Sequence, residues 1–407
     1  MRILHTSDWH LGRSLHGADL TPAFEMWCSH VIEVVREYDI DAVLISGDVY
    51  DRGVPPTWAV ALFNSTLNEL AELTTVILTS GNHDSPLRLG FGAELMRHSV
   101  HIRTDSRQAE HPIAIRNKRE EVEAIVYAIP YLDPDVERRR LAPHTSGEGP
   151  APEDYLERSH ETVLRAALDR VRQDVTTGAY SHAKVARICL AHAFITGGEA
   201  SPSERDIHVG GVDNAPSGLF RLGAEGENPG PLSYVALGHL HSPQRIGRAW
   251  DPPMRYSGSP IAFSFSEERA KSSLLLTIEG DQVSTEVIPA PVWRPVKTLT
   301  GTMEELLHPE NSVHTQSFTR LIVTDPARPA DMSAILRRAF PHALEIQHRT
   351  QAMERGAGPV QVAAMHPLEA LKDFMEVSGN RMLTGAEAAI LTDVWENVRA
   401  EYEGEAK

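Results

Sequence analysis

Short aliphatic runs, each closed by a small cluster of polar and turn-forming residues, constrain this chain more than any other feature. Residues 3–7, 42–46, 76–80, 124–130, 185–191 and 234–237 are rich in Val, Ile, Leu and Ala and are bounded by turn formers, as buried strands are. Amphipathic stretches at 22–38, 56–73 and 155–175 lie between them, with Pro56 placed to open a helix. Runs at 273–278 and 283–288, separated by Gly280-Asp281, predict a closing hairpin. This alternation predicts an α/β fold in which helices flank two packed sheets, a four-layer α/β/β/α sandwich.

The clusters that close the runs carry the chemistry. They are Asp8-Trp9-His10, Gly47-Asp48-Val49-Tyr50-Asp51, Gly81-Asn82-His83-Asp84, Ala191-His192 and Gly238-His239-Leu240-His241. In open α/β sheets, ligands collect beyond the carboxyl ends of strands, which is where each cluster falls. Asp8 and His10 alternate by two, as do His239 and His241, so each pair can face one side. Gly47 lets the backbone turn tightly, and Asn82 adds a neutral oxygen. Alone, each motif reads as a turn or a core imidazole. Together they supply carboxylate, amide and imidazole donors and no thiolate, a set suited to two divalent ions side by side.

At 407 residues the chain has room for two or three domains. The texture changes near Val292-Trp293-Arg294-Pro295. Residues 1–291 read as the α/β domain, with a loop at 142–153. Residues 292–352 read as a small α+β capping domain, with a helix start at 303–307, a strand at 318–323, a helix at 331–340 and a strand at 343–347. A linker at 353–366 precedes a C-terminal helix pair at 367–403. The first of those helices aligns Leu368, Leu371, Phe374 and Met375. The second opens on a Thr384/Glu387 capping box and aligns Ile390, Val394, Val398 and Tyr402. Two such helices cannot bury both apolar faces alone, and docking on a partner is the expectation.

The formal charge of −17 is awkward for a protein that grips nucleic acid unaided. Two cysteines, Cys28 and Cys189, form no disulfide framework and read as buried thiols. Asp8 and His10 occupy the place of a signal peptide's apolar stretch, and no apolar run approaches membrane length, so a cytoplasmic protein is expected.

The ordered motif set resembles the calcineurin-like metallophosphoesterase superfamily. Within it the chain is similar to the SbcD-like family of bacterial nuclease subunits. Ser203-Glu204-Arg205-Asp206, Val209-Gly210-Gly211, Tyr234 to His239 and Tyr256-Ser257-Gly258-Ser259-Pro260 carry that closer likeness. The resemblance implies two ions, manganese in this family. Asp8, His10, Asp48 and His241 would hold one; Asp48, Asn82, His192 and His239 would hold the other, with Asp48 shared. It implies 3′ to 5′ exonuclease activity on double-stranded DNA, endonuclease activity at hairpins or blocked ends, and a role in DNA repair and recombination. It also implies an SbcC-like coiled-coil ATPase partner docked on the C-terminal helices, and a homodimer within a two-plus-two heterotetramer. Helix 56–73 and the turn after Asp84 are the dimer candidates.

His83, beside Asn82 but outside the ligand sets, is expected to act as general acid toward the leaving oxygen, with Asp84 accepting a hydrogen bond from its other ring nitrogen. Asp51 is expected to shape its loop. Arg52 could meet phosphates or make surface pairs, and Arg88 reads as a surface pair. Arg138-Arg139-Arg140 reads as a solvated helix face, and Trp9 as base-stacking or core. Two other functions share the motifs: a small-molecule phosphodiesterase of the cyclic-nucleotide type, and a non-catalytic metal-binding scaffold.

Overall fold

The computed structural model describes residues 1–96, 98–143, 151–204, 214–222 and 231–349, then 375, 384–385 and 387–395. The chain forms two compact units, Met1–Lys297 and Thr298–Lys407. The first opens with β1 (Arg2–Thr6), a small hairpin of β2 (Ser14–Leu15) and β3 (Ala18–Asp19), α1 (Thr21–Glu37), β4 (Ala42–Ile45), α2 (Thr57–Leu73), β5 (Thr75–Thr79), a single turn α3 (Pro86–Leu89) and β6 (Val100–Arg103). It continues with β7 (Ile113–Arg116), β8 (Val122–Ile129), α4 (Pro134–Arg140), α5 (His160–Thr177), β9 (Ala186–His192), β10 (Tyr234–Gly238), β11 (Gln244–Ile246), β12 (Met254–Tyr256), β13 (Ser272–Glu279) and β14 (Gln282–Pro289).

These strands form two six-stranded sheets, ordered β14-β13-β1-β4-β5-β6 and β11-β12-β10-β9-β8-β7. The inner strands of both are parallel, while β13, β14, β11 and β7 run antiparallel to their neighbours. Ile3, Leu44 and Ile77 of the first sheet meet Val126, Ile188 and Ala236 of the second in a fully buried layer. On the other side of the second sheet, Val163, Leu164, Leu168 and Val171 of α5 cover Tyr127, Cys189 and Val235. Helix α1 buries Phe24, Trp27, Val31 and Val35 and lies beside α2, which packs against β5. Each such side chain contributes roughly 1.5–3 kcal/mol by leaving water. The arrangement is the expected α/β/β/α sandwich. Both cysteines are buried, and burial lifts the Cys28 thiol to about 11 and the Cys189 thiol further, so neither is a reactive thiolate.

Several elements differ from the sequence reading. Helix α5 starts at His160 because the Ser159 side chain accepts from the Thr162 N–H; residues 152–154 form only a 3-10 turn. Strands β6, β7, β11 and β12 were not expected. All four have only three or four residues with a partly exposed alternation, and β11 and β7 are sheet edges, so none makes a continuous apolar run. The expected loop at 142–153 falls partly, at 144–150, outside the described residues.

A buried polar cluster centred on His5 lies inside the sandwich. His5, fully buried on β1, contacts Ser46 Oγ at 3.0 Å and the Tyr234 hydroxyl at 3.2 Å. Ser46 donates its proton to the Ala236 carbonyl, so His5 Nε2–H donates to Ser46 and Nδ1 accepts from Tyr234. This pairing suits the neutral ring only. Burial, partly opposed by a hydrogen bond to the Leu237 backbone, lowers its pKa from 6.5 to about 3. The unfolded chain therefore takes up this proton first on acidification. The stability held by neutral His5 is full above pH 6.5 and drains as pH falls toward 3, by roughly 3 kcal/mol at pH 4. His5→Gln should flatten the loss of stability between pH 7 and pH 4 by about that amount in urea unfolding. An unchanged slope would show that the ring is not held neutral.

The second unit holds β15 (Val296–Gly301), α6 (Met303–Leu306), β16 (Phe318–Val323), α7 (Met332–Ala339) and β17 (Ala343–His348), with sheet order β15-β16-β17. Leu306, Leu321, Val323, Met332, Leu336, Phe340 and Ala343 form its core. Thr302 and Glu305 make a reciprocal capping box at the start of α6. Strand β15, with its ends buried and its middle half-exposed, had no strand signature in the sequence. The linker expected at 353–366 and most of the helix pair expected at 367–403 lie outside the described residues. Within the described part, Thr384 and Glu387 make the expected capping box, and 387–395 are helical. No described helix is long and apolar enough to cross a membrane.

Candidate metal centre

Strands β1, β4 and β5 of the first sheet and β9 and β10 of the second end on one rim of the sandwich. The five polar clusters follow them there. The backbone does not continue as strand. Asp8, His10, Asp48 and His239 all have positive φ, at 55°, 47°, 51° and 111°. Asp and His adopt such conformations more readily than β-branched residues, and four in one site are the mark of a backbone bent for function. Asp8 and His10 are therefore aimed by two left-handed turns and not by strand alternation, which corrects the sequence reading. Two glycines make room. A Cβ at Gly47 would stand 2.4 Å from His192 Nδ1, and one at Gly81 only 2.1 Å from Asp48 Oδ1.

All seven candidate ligands meet in this cluster. Single ligand atoms of Asp8, His10 and His241 lie within 4.8 Å of one another, as do those of Asp8, Asp48 and His192, and those of His10, Asp48 and His83. Asp48 Oδ2 stands 3.6 Å from His10 Nε2 and 3.5 Å from His192 Nε2, so one oxygen lies between the two halves. His10 Nε2 and His241 Nε2 approach to 3.0 Å. The Asn82 amide oxygen lies 2.9 Å from His192 Nε2 and 3.2 Å from His239 Nδ1. Donor atoms about 2.1 Å from one ion and at right angles stand about 3 Å apart, so these spacings fit cation ligation.

The electrostatics point the same way. Burial pushes His10 and His239 well below the ordinary imidazole range, aided by neighbouring imidazoles, and lowers His192 against the pull of Asp48. Burial and then the Asp48 charge hold Asp8 well above the usual carboxylate range. The same two causes lift Asp84 to about 7 despite three backbone donors. Neutral imidazoles with free lone pairs, and buried carboxylates short of positive charge, are what a divalent cation satisfies.

The partners of His83 and Asp84 differ from expectation. His83 Nδ1 donates to the Asp51 carbonyl at 2.7 Å, and its backbone N–H donates to Asp48 Oδ1 at 2.8 Å. The Asp84 carboxylate accepts from the backbone of Val49, Tyr50 and Gly81 at 2.9–3.1 Å. Asp84 thus ties the two metal-site loops together and is not the partner of the imidazole; three converging N–H groups outcompete one ring. Asp51 holds His83 through its main chain, while its carboxylate faces Arg13 at 3.7 Å.

The remaining candidates fall outside the cluster. Trp9 is fully buried, edge-on to Trp27 and Phe63, so it is core. Arg52 is exposed beside Asp51, and Arg88 donates to the Gly53 carbonyl. Arg138 and Arg139 stack over Tyr155, and Arg140 pairs with Glu137. Sequence reasoning missed the supports of the site: Ser7 on Asp8, the Ser46 carbonyl on His192, and Ser203, Glu204, Glu267 and Lys271 around His241. Only Ser203 and Glu204 stood in a motif that could have flagged them.

Two stretches of the chain match families of known proteins. Residues 1–132 match the family described as calcineurin-like phosphoesterase. Residues 292–378 match the SbcD C-terminal family, described as "Type 5 capsule protein repressor C-terminal domain". Similar solved structures include TT1561 of Thermus thermophilus, with 14% identity and TM-score 0.38 over 70% of this chain and 98% of that one. They also include a dimetal phosphatase from Danio rerio, with 10% identity and TM-score 0.42 over 72% of this chain and 96% of that one. The chain thus carries a stretch similar to calcineurin-like phosphoesterases ahead of one similar to the SbcD C-terminal domain, with a cluster of candidate metal ligands among its described residues.

Proposed function

We propose that the chain is the nuclease subunit of an SbcCD-like DNA-repair complex, cleaving phosphodiester bonds with two divalent ions, manganese by family resemblance. The observation that carries this reading is the pairing of a metallophosphoesterase domain with an SbcD-type C-terminal domain in one chain. Asp8, His10, Asp48 and His241 would hold one ion, and Asp48, Asn82, His192 and His239 the other. Bound there, the ions supply an activated water and neutralise the attacked phosphate. His83, half-buried at the edge of the cluster with Nδ1 committed to Asp51, keeps Nε2 for the leaving oxygen. Asp84 keeps the loops carrying Asp48 and Asn82 in register.

An SbcC-like ATPase partner and DNA substrate belong to this reading, with exonuclease action on duplex ends, endonuclease action at hairpins, and a cytoplasmic setting. A homodimer is supported by Leu87, Phe91 and Leu95, spaced by four and 86%, 84% and 90% exposed. A second reading, hydrolysis of small phosphodiesters, is favoured by the net charge of −17, which resists a DNA polyanion. End-labelled duplex DNA incubated with the chain and Mn2+ should be degraded, and EDTA should stop it. Cleavage of bis(p-nitrophenyl) phosphate but not DNA, even with the ATPase partner added, would sink the nuclease reading and favour the second.

A further inference from the structure

Around His241 lies a group of buried polar residues that the phosphoesterase chemistry does not itself require. Glu267 and Lys271 form an ion pair with side chains 1% and 7% exposed. Buried pairs of this kind are often matched or exceeded in stability by apolar residues of similar size, so stability does not account for it. Its contacts do. Ser203 Oγ donates to Glu267 Oε1 at 2.5 Å and lies 2.6 Å from His241 Nδ1. Lys271 Nζ donates to Glu267, to the His241 carbonyl at 3.0 Å and to Ser259 Oγ at 3.0 Å. The His241 N–H donates to Glu204 Oε1 at 2.7 Å, and its carbonyl accepts from the Ser259 N–H at 3.1 Å. Residues of the Ser203-Glu204 and Ser257-Gly258-Ser259 motifs thus converge on one histidine, Ser203 on its ring and Glu204 and Ser259 on its backbone.

The proton positions follow from donor counting. A carboxylate beside an ammonium can only accept, so the single Ser203 proton goes to Glu267. The Ser203 oxygen must then accept from His241, which puts a proton on Nδ1 and leaves Nε2 as a bare lone pair. That Nε2 is the atom 3.0 Å from His10 Nε2. His192 is fixed differently, by Nδ1 donation to the neutral Ser46 carbonyl at 2.8 Å. Among the described residues, His241 is the candidate ligand whose ring is backed by a carboxylate through a hydroxyl.

We propose that Glu267, acting through Ser203 and anchored by Lys271, is a positioning residue that locks the His241 tautomer and strengthens its Nε2 as a ligand for one of the two ions. The inference rests on the metal-centre reading of the cluster. It gives the two ions unequal supports, so one site can be weakened without the other.

Titrating the full chain with Mn2+ by calorimetry tests it, with His241→Ala marking the binding step that belongs to this ligand. Ser203→Ala should weaken that step roughly tenfold to a hundredfold and leave the other in place. Ser203→Thr, which keeps the hydroxyl, should restore it. Loss of Ser203 could loosen the fold, so the paired change Glu267→Gln with Lys271→Met provides a second route. It removes both charges together and should weaken the same step alone. An unmoved step in both variants, or equal loss at both steps, overturns the relay. Failure of the unaltered chain to bind Mn2+ would overturn the metal-centre reading itself, and the relay with it.

Discussion

Replacing His83 by alanine should slow phosphodiester cleavage by roughly a thousandfold while both divalent ions stay bound. The contacts of this residue separate its two jobs. Its backbone N–H, not its ring, reaches Asp48 Oδ1, so the loop keeps its hold on the cluster when the side chain goes. Its ring is steadied by the Asp51 carbonyl, a contact that touches no candidate ligand. The substitution removes the group proposed to face the leaving oxygen, together with its edge contact on the His10 ring, 4.6 Å between centroids. Metal content by elemental analysis and turnover of a simple phosphodiester, measured on one preparation, check both halves. Undiminished turnover would remove His83 from the mechanism. Loss of an ion would instead make it a ligand, an outcome its proximity to His10 and Asp48 gives a clear geometric route.

Asp48→Asn should have the wider effect, weakening both ions by more than about a hundredfold and leaving no measurable cleavage. Asparagine is the informative replacement because it tolerates the left-handed backbone that position 48 adopts, at φ 51°, so the change tests charge and not conformation. One carboxylate oxygen stands within 3.6 Å of His10 and 3.5 Å of His192, which places Asp48 against both halves of the cluster. The metal-free variant should melt no lower than the parent chain. The lost charge is one that raises the cost of ionising Asp8 and Asp84, so its removal relieves a buried repulsion. Loss of one ion with retention of the other would refute the shared role.

What the sequence made legible was set by how each feature encodes itself. Doubly buried strands such as β4 and β10 announce themselves as unbroken apolar runs, and the polar residues after them mark the rim where ligands gather. Edge strands such as β7 and β11 carry no such run, and β15 is only half-buried along its middle, so they emerged only with their partners. At the site, residue types revealed the donors but not their aim. Asp84 next to His83 suggested a pair, yet the carboxylate turns toward three backbone amides contributed by residues 49, 50 and 81. Glu267 and Lys271 sit in no recognisable motif, and their meaning depends on a contact with His241 that only the folded chain provides.

The packing of two sheets against one another has a consequence for biosynthesis. Asp8, His10, Asp48 and Asn82 are all made early and hang from the first sheet; His192, His239 and His241 come much later and hang from the second. The first sheet itself is finished last, because β13 and β14 arrive after every ligand and β13 pairs with β1. A nascent chain released before residue 192 would carry four oxygen and nitrogen donors on an incomplete sheet, open to solvent and with half a cage. Firm loading of the two proposed ions would therefore be a late event, following closure of the joint between the sheets. Uptake of the proposed ions would then report that the first unit, Met1–Lys297, has been made and closed.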